Sequence, residues 1–205
     1  MTRPTKDQWA QLLALVTSMR GTCLRRQVGC VLVNARGHVL ATGYNGVAAG
    51  LLHCNQHDPF CATGYPFACE GAHAPSGSGL DQCEAVHAEQ NALLQCKDVY
   101  AIDTCYVTAS PCVTCTKLLL NTSCRRIVFS TVYPHPEAQA LWERAGRLWI
   151  HQDLQPAEEL AYENLLSTGA IVRPKPRHRH QPVETEGGDG SPGGAGPGAD
   201  VSGIG

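Results

Sequence analysis

The sequence predicts an α/β domain whose sheet is mainly parallel after an initial hairpin. Three observations carry that prediction. Residues 27–33 and 38–42 are two apolar runs joined by the turn Asn34-Ala35-Arg36-Gly37, as in a β-hairpin. Further on, strand-like runs at 104–108, 126–131 and 148–151 alternate with helix-like runs at 111–120 and 136–145. That alternation implies parallel strands with helical crossovers. The chain of 205 residues, 43% hydrophobic and 17% charged, is long enough for one compact domain with a sizeable core.

The elements follow in order. Thr5-Lys6-Asp7-Gln8 has the form of a capping box, and Trp9, Leu12, Leu13, Val16 and Met19 recur at helical spacing, which predicts a helix over 5–20. Val28-Gly29-Cys30-Val31-Leu32-Val33 reads as a buried strand, and Gly43-Tyr44-Asn45-Gly46 closes the second strand of the hairpin. Residues 47–82 hold many Gly, Pro, Cys and His without a period, and loops of that length are usually functional or fastened by something other than a core. A helix is expected over 85–95, and a last one over 157–167. Residues 173–182 are basic and Pro-rich, and residues 187–205 contain nine glycines in nineteen positions. Such a segment buries too little apolar area to offset its ordering entropy. The expected organisation is therefore a domain over 1–172 and a disordered tail over 173–205.

Formal net charge is -2, which argues against a general nucleic-acid surface. No run approaches the roughly 20 apolar residues of a membrane-spanning helix, and the first ten residues hold no signal-peptide core. The expected compartment is the cytoplasm, where thiols stay reduced. Eleven cysteines then point to metal rather than to disulfides, although Cys30, Cys96, Cys105 and Cys124 fit the plainer role of small buried hydrophobes.

Two short motifs carry the chemistry. His87-Ala88-Glu89 enters one predicted helix, and Pro111-Cys112-Val113-Thr114-Cys115 follows a strand and enters another. Together they match H-x-E followed by P-C-x-x-C, the pattern of zinc deaminases. A catalytic zinc takes three protein ligands and keeps one position open; His87, Cys112 and Cys115 supply three. Cys112 and Cys115 stand on one face at a helix N-terminus, where the dipole favours thiolates, with Ser110 as the expected N-cap. Glu89 is expected to move protons rather than to bind metal.

These residues resemble the cytidine and deoxycytidylate deaminase superfamily over about 8–166. Gln27-Val28-Gly29, Gly43-Tyr44-Asn45-Gly46, His87-Ala88-Glu89-Gln90-Asn91-Ala92 and Tyr106-Val107-Thr108-Ala109-Ser110-Pro111-Cys112 are similar to the deoxycytidylate branch in order and spacing. The resemblance implies a three-layer α/β/α sandwich around a five-stranded mixed sheet, and conversion of dCMP to dUMP and ammonia. It implies that Tyr44 and Asn45 lie beside the nucleotide, with Ser110 as a further substrate contact. Arg25 and Arg26 precede the first strand and are candidates for the 5′-phosphate, whose geometry guanidinium matches; the rival reading is a solvated basic pair. It also implies a homo-oligomer, in many members a hexamer controlled by dCTP and dTTP. Some members carry a second, structural zinc, for which Cys54, Cys83 and Cys69 are the candidates here, with Cys23, Cys61, His57 and His73 as further ones; the rival reading is reduced, unliganded thiols in a flexible insertion. Rival readings are deamination of another cytosine or adenine, as free nucleoside or tRNA base, and a catalytically silent zinc-binding nucleotide sensor. Glu89 speaks against the silent sensor, because a structural zinc does not require that carboxylate.

Overall fold

In the computed structural model, which describes residues 3–54, 56 and 83–153, the first helix runs Lys6–Ser18 as α1. Both halves of its capping box form: the Gln8 amide donates to Thr5 Oγ1 at 3.2 Å, and the Thr5 amide donates to Gln8 Oε1 at 2.8 Å. The hairpin follows as β1 (Gly29–Val33) and β2 (Val39–Tyr44). A two-residue ladder pairs β3 (Gly46–Val47) with β4 (Ala85–Val86). Then come α2 (Ala88–Gln95), β5 (Thr104–Ala109), α3 (Val113–Leu120), β6 (Arg126–Thr131), α4 (Pro136–Arg144) and β7 (Leu148–His151).

The five long strands form one sheet in the order β2-β1-β5-β6-β7. β1 is antiparallel to both β2 and β5, while β5, β6 and β7 are mutually parallel. The sheet is thus mixed, and its alternation sorts the core into two layers. Val31, Val33, Tyr106 and Val128 meet Ala10 and Ala14 of α1 on one face. Cys30, Leu32, Cys105, Val107, Ile127 and Phe129 meet Ala88 and Ala92 of α2, Leu119 of α3 and Trp142 of α4 on the other. This is the three-layer α/β/α arrangement. Cys30 and Cys105 are core thiols with no exposed surface, their sulfurs 3.5 Å apart. Among the described residues no helix is long and apolar enough to cross a membrane.

Several boundaries differ from the sequence expectation. Ala85 and Val86 belong to a strand and not to the following helix, because their partner ladder lies 38 residues upstream and two residues are too few to show a period. Gly43 and Tyr44 continue β2, leaving Asn45 as the single residue between β2 and β3. The helix expected over 157–167, the tail at 173–205 and most of the 47–82 segment lie outside the described residues.

Two contacts tie the outer layers to the sheet. Arg126 at the start of β6 pairs with Asp7 of α1 at 2.8 Å, and the Tyr106 hydroxyl donates to the same carboxylate. Burial alone would raise the Asp7 pKa, but the bonds from Tyr106 and Arg126 outweigh it and hold the carboxyl below its ordinary value. A lowered folded-state value contributes stability above the ordinary carboxylate range, and that contribution disappears as pH falls through the folded value. Asp7→Asn is therefore expected to destabilise the protein by about 0.5–1 kcal/mol at neutral pH, a partly exposed pair being worth no more. Urea midpoints of wild type and variant should converge in acid; a pH-independent gap between them would contradict the ionic origin.

Arg147 acts at the far end of α3. Its guanidinium lies over the Trp142 ring at 5.0 Å and donates to the carbonyls of Leu119 (3.2 Å), Leu120 (2.9 Å) and Cys124 (2.8 Å). The C-terminal end of α3, where a helix runs short of intrahelical donors, thus faces a cation, the charge the helix dipole favours there.

Candidate metal centre and substrate cavity

The site sits where α2 and α3 begin. His87 is the N-cap of α2 and Cys112 the N-cap of α3; Cys115 is the third residue of α3 and Glu89 the second of α2. Both helix N-termini therefore face one spot, where their unpaired N–H groups favour negative charge. The His87 amide is satisfied by Gln90 Oε1 at 2.8 Å, which fixes the turn that presents the imidazole. Ser110 is not the N-cap of α3, as the sequence suggested. Its hydroxyl instead accepts from the Tyr133 amide at 2.7 Å, so it ties the end of β5 to the segment after β6.

His87 Nδ1 lies 3.5 Å from Cys112 Sγ and 3.4 Å from Cys115 Sγ, and the three donor atoms all fall within 4.8 Å of one another. Zinc bonds of about 2.1 Å to nitrogen and 2.3 Å to sulfur at a tetrahedral angle put the two ligands about 3.6 Å apart. The donor set and its spacing fit zinc. The protonation pattern agrees. A hydrogen bond from Cys115 is the main influence pulling the Cys112 thiol down to about 3, while that same bond and burial push Cys115 upward. The bond to Cys112 raises His87 against the effect of burial. A divalent cation held by these residues would take the place of the shared protons and let both sulfurs carry charge. Among the described residues this is the one group of three or more such side chains with that geometry.

Glu89 is 4% exposed. Burial pushes its carboxyl up to about 7, with the His87 charge pulling the other way. A carboxyl poised near neutrality suits proton transfer in either direction.

A cavity of about 630 Å³, counting its open mouth, is lined by His87, Glu89 and Cys112 together with Arg25, Arg26, Asn45, Ser110 and Tyr133. It opens at the carboxyl end of β5, beside the switch to the antiparallel β1, the usual place for ligands in open α/β sheets. Asn45 is 8% exposed, and its amide is engaged with the backbone: Nδ2 donates to the Arg26 carbonyl at 2.7 Å and Oδ1 accepts from the Val28 amide at 2.8 Å. Tyr44 stands outside the lining. Its ring lies under the Arg20 guanidinium at 5.8 Å and its carbonyl accepts from Asn91 Nδ2 at 2.8 Å. Cys23 and Cys83 line the same cavity, Cys54 is fully buried, and Cys69 lies outside the described residues. Tyr133 escaped the sequence reading. It comes 21 positions after Cys112, and only the parallel register that sets Ala109 opposite Thr131 brings it to the cavity.

The sequence profile of the cytidine and deoxycytidylate deaminase zinc-binding region matches residues 4–131. The chain belongs to the cytidine and deoxycytidylate deaminase family. His87, Cys112 and Cys115 all fall inside the matched region. The deoxycytidylate deaminase of Schizosaccharomyces pombe is 32% identical over 165 residues, covering 77% of this chain and 47% of that protein. That of Mycobacterium phage D29 is 38% identical over 130 residues, covering 63% of this chain and 97% of the phage protein. The chain thus spans about half the length of the yeast relative and nearly all of the phage one. Among solved structures, the dCMP deaminase of cyanophage S-TIM5 in complex with dCMP and dUMP superposes with a TM-score of 0.57 at 22% identity, covering 74% of this chain and all of that one. That likeness establishes the cytidine deaminase-like fold.

Proposed function

We propose that this protein catalyses the zinc-dependent hydrolytic deamination of dCMP to dUMP and ammonia, feeding thymidylate synthesis. One observation carries the reading: a buried carboxyl, Glu89, shares a cavity with a His-Cys-Cys set of zinc geometry. A structural zinc needs no such neighbour. The relatives at 32% and 38% identity are deoxycytidylate deaminases, which supports dCMP over the other bases.

His87, Cys112 and Cys115 would hold the ion. Zinc bound there supplies Lewis acidity, which brings the pKa of water from about 15.7 toward about 7. Glu89 would take one proton of the water whose oxygen adds to C4 and pass it to ring N3; it would then take the second proton from the new C4 hydroxyl and give it to the amine, so that the C–N bond breaks as C4=O forms, water enters and ammonia leaves. The low-dielectric walls around Glu89 strengthen these transfers. Arg26 lines the cavity and would meet the 5′-phosphate, a group that guanidinium matches well. Asn45 holds the backbone of Arg26 in place, and Ser110 and Tyr44 shape the cavity rim and the turn behind it.

The reading is tested by ammonia release from dCMP, dCTP, cytidine and adenosine, with zinc measured on the same preparation. About one equivalent of zinc and a preference for dCMP are expected. A metal-loaded protein inactive on all four would leave the silent sensor standing. The same proposal includes a second, structural zinc drawn from Cys54, Cys83, Cys69 and Cys23, a homo-oligomer such as a hexamer, and control by dCTP and dTTP. The compartment that goes with this reading is the cytoplasm, where clustered thiols stay reduced.

A further inference from the structure

We propose that Tyr133 is the positioning residue that gives the cavity its preference for a 5′-monophosphate, by holding the Arg26 guanidinium against its ring. This rests on the monophosphate reading above. The Arg26 guanidinium carbon lies 5.3 Å from the Tyr133 ring centroid, and both residues line the cavity. Arg26 Nη1 is buried and has no hydrogen-bond partner among the described residues. A buried guanidinium nitrogen without an acceptor is costly, and an anion in the cavity supplies one.

The ring is itself fixed. The Tyr133 amide donates to Ser110 Oγ at 2.7 Å, and the ring packs against His135 with centroids 4.8 Å apart. Ser110 precedes Pro111 and Cys112, so the tyrosine is anchored two residues from the metal cluster. At the other end, Asn45 Nδ2 grips the Arg26 carbonyl at 2.7 Å. Arg26 is thus fixed by Asn45 at its backbone and by Tyr133 at its head. A long side chain that would otherwise sample many rotamers is held in one orientation before substrate arrives, which lowers the ordering cost of binding. The face of an aromatic ring attracts a guanidinium but leaves its in-plane N–H donors free for a phosphate.

The test is kcat/KM for dCMP and for deoxycytidine, measured on the zinc-loaded full-length protein. The variants are Tyr133→Leu, Tyr133→Phe and Arg26→Gln. The ratio between two substrates on one preparation cancels the active fraction, so partial misfolding does not obscure it. Tyr133→Leu is expected to lower the dCMP-to-deoxycytidine ratio about tenfold, chiefly through KM for dCMP, while Tyr133→Phe keeps it within roughly twofold because the ring face remains. Arg26→Gln should abolish most of the preference. The inference is overturned if Tyr133→Leu keeps the wild-type ratio while Arg26→Gln loses it, if Arg26→Gln keeps it, or if Tyr133→Phe loses as much as Tyr133→Leu. Absence of any preference in the wild type would instead sink the monophosphate reading itself.

Discussion

Glu89→Gln is expected to retain its metal and to lose turnover by a factor on the order of 10²–10⁴, the usual contribution of a positioned acid–base group. The three donor atoms belong to His87, Cys112 and Cys115, so an amide at position 89 removes none of them. It does remove the carboxyl proposed to carry protons. The variant also has a signature in the metal-free protein. Burial lifts Glu89 from its ordinary 4.5 to about 7. A raised folded-state value means the native chain binds the proton more tightly than the unfolded one. Stability therefore falls as pH rises between those two values. Glutamine cannot ionise, so metal-free Glu89→Gln should lack that decline and melt no lower than the metal-free wild type at pH 7–8. Zinc content, turnover and melting temperature of the two proteins decide it. Normal turnover by the variant would remove Glu89 from the proton path.

The second large effect is expected at Gly43. A Cβ built there would lie 2.2 Å from the Ala88 carbonyl oxygen and 2.4 Å from the Ala92 amide nitrogen. Both are backbone atoms of α2 and cannot rotate away. Gly43→Ala must push α2 off β2, at a cost of about 1–3 kcal/mol for overpacking, or more where the backbone resists. Because α2 begins at His87 and carries Glu89, the displacement reaches the metal centre. A misplacement of about 1 Å can lower turnover about 10²-fold. Gly46→Ala is the control: the nearest atom to its Cβ is Thr22 Oγ1 at 3.5 Å, an ordinary contact, so its stability should stay within about 0.5 kcal/mol of wild type. Equal urea midpoints for Gly43→Ala and Gly46→Ala would refute the close packing of α2 on the sheet.

The candidate metal ligands were legible in the sequence because zinc chemistry restricts residue type and spacing together. His87-Ala88-Glu89 and Pro111 to Cys115 each sit at a helix start, and a helix start is a local feature. Strands at 126–131 and 148–151 were legible for a similar reason, since apolar runs between turns need no distant information. What remained hidden depends on pairing across the chain. The ladder of β3 with β4 is two residues long. Ser110 looks like a helix cap in sequence, yet the Tyr133 amide 23 positions away claims its hydroxyl. Asn45 reads as a turn residue, and only the folded chain shows both ends of its amide gripping the segment from Arg26 to Val28. Tyr133 carries no motif; the parallel alignment of β5 and β6 puts it at the cavity.

The guanidinium that plugs the end of α3 comes from outside the matched family region, which stops at residue 131. A fragment cut there would contain His87, Glu89, Cys112 and Cys115 and still lack Arg147 and the Trp142 ring beneath it. The eight-residue helix that carries Cys115 would then keep the turn bonds to the Leu118 and Leu119 carbonyls but lose the cation at that end. A fragment ending at residue 131 is therefore expected to hold zinc less firmly than one that keeps Arg147, which zinc content after dialysis of the two fragments would check.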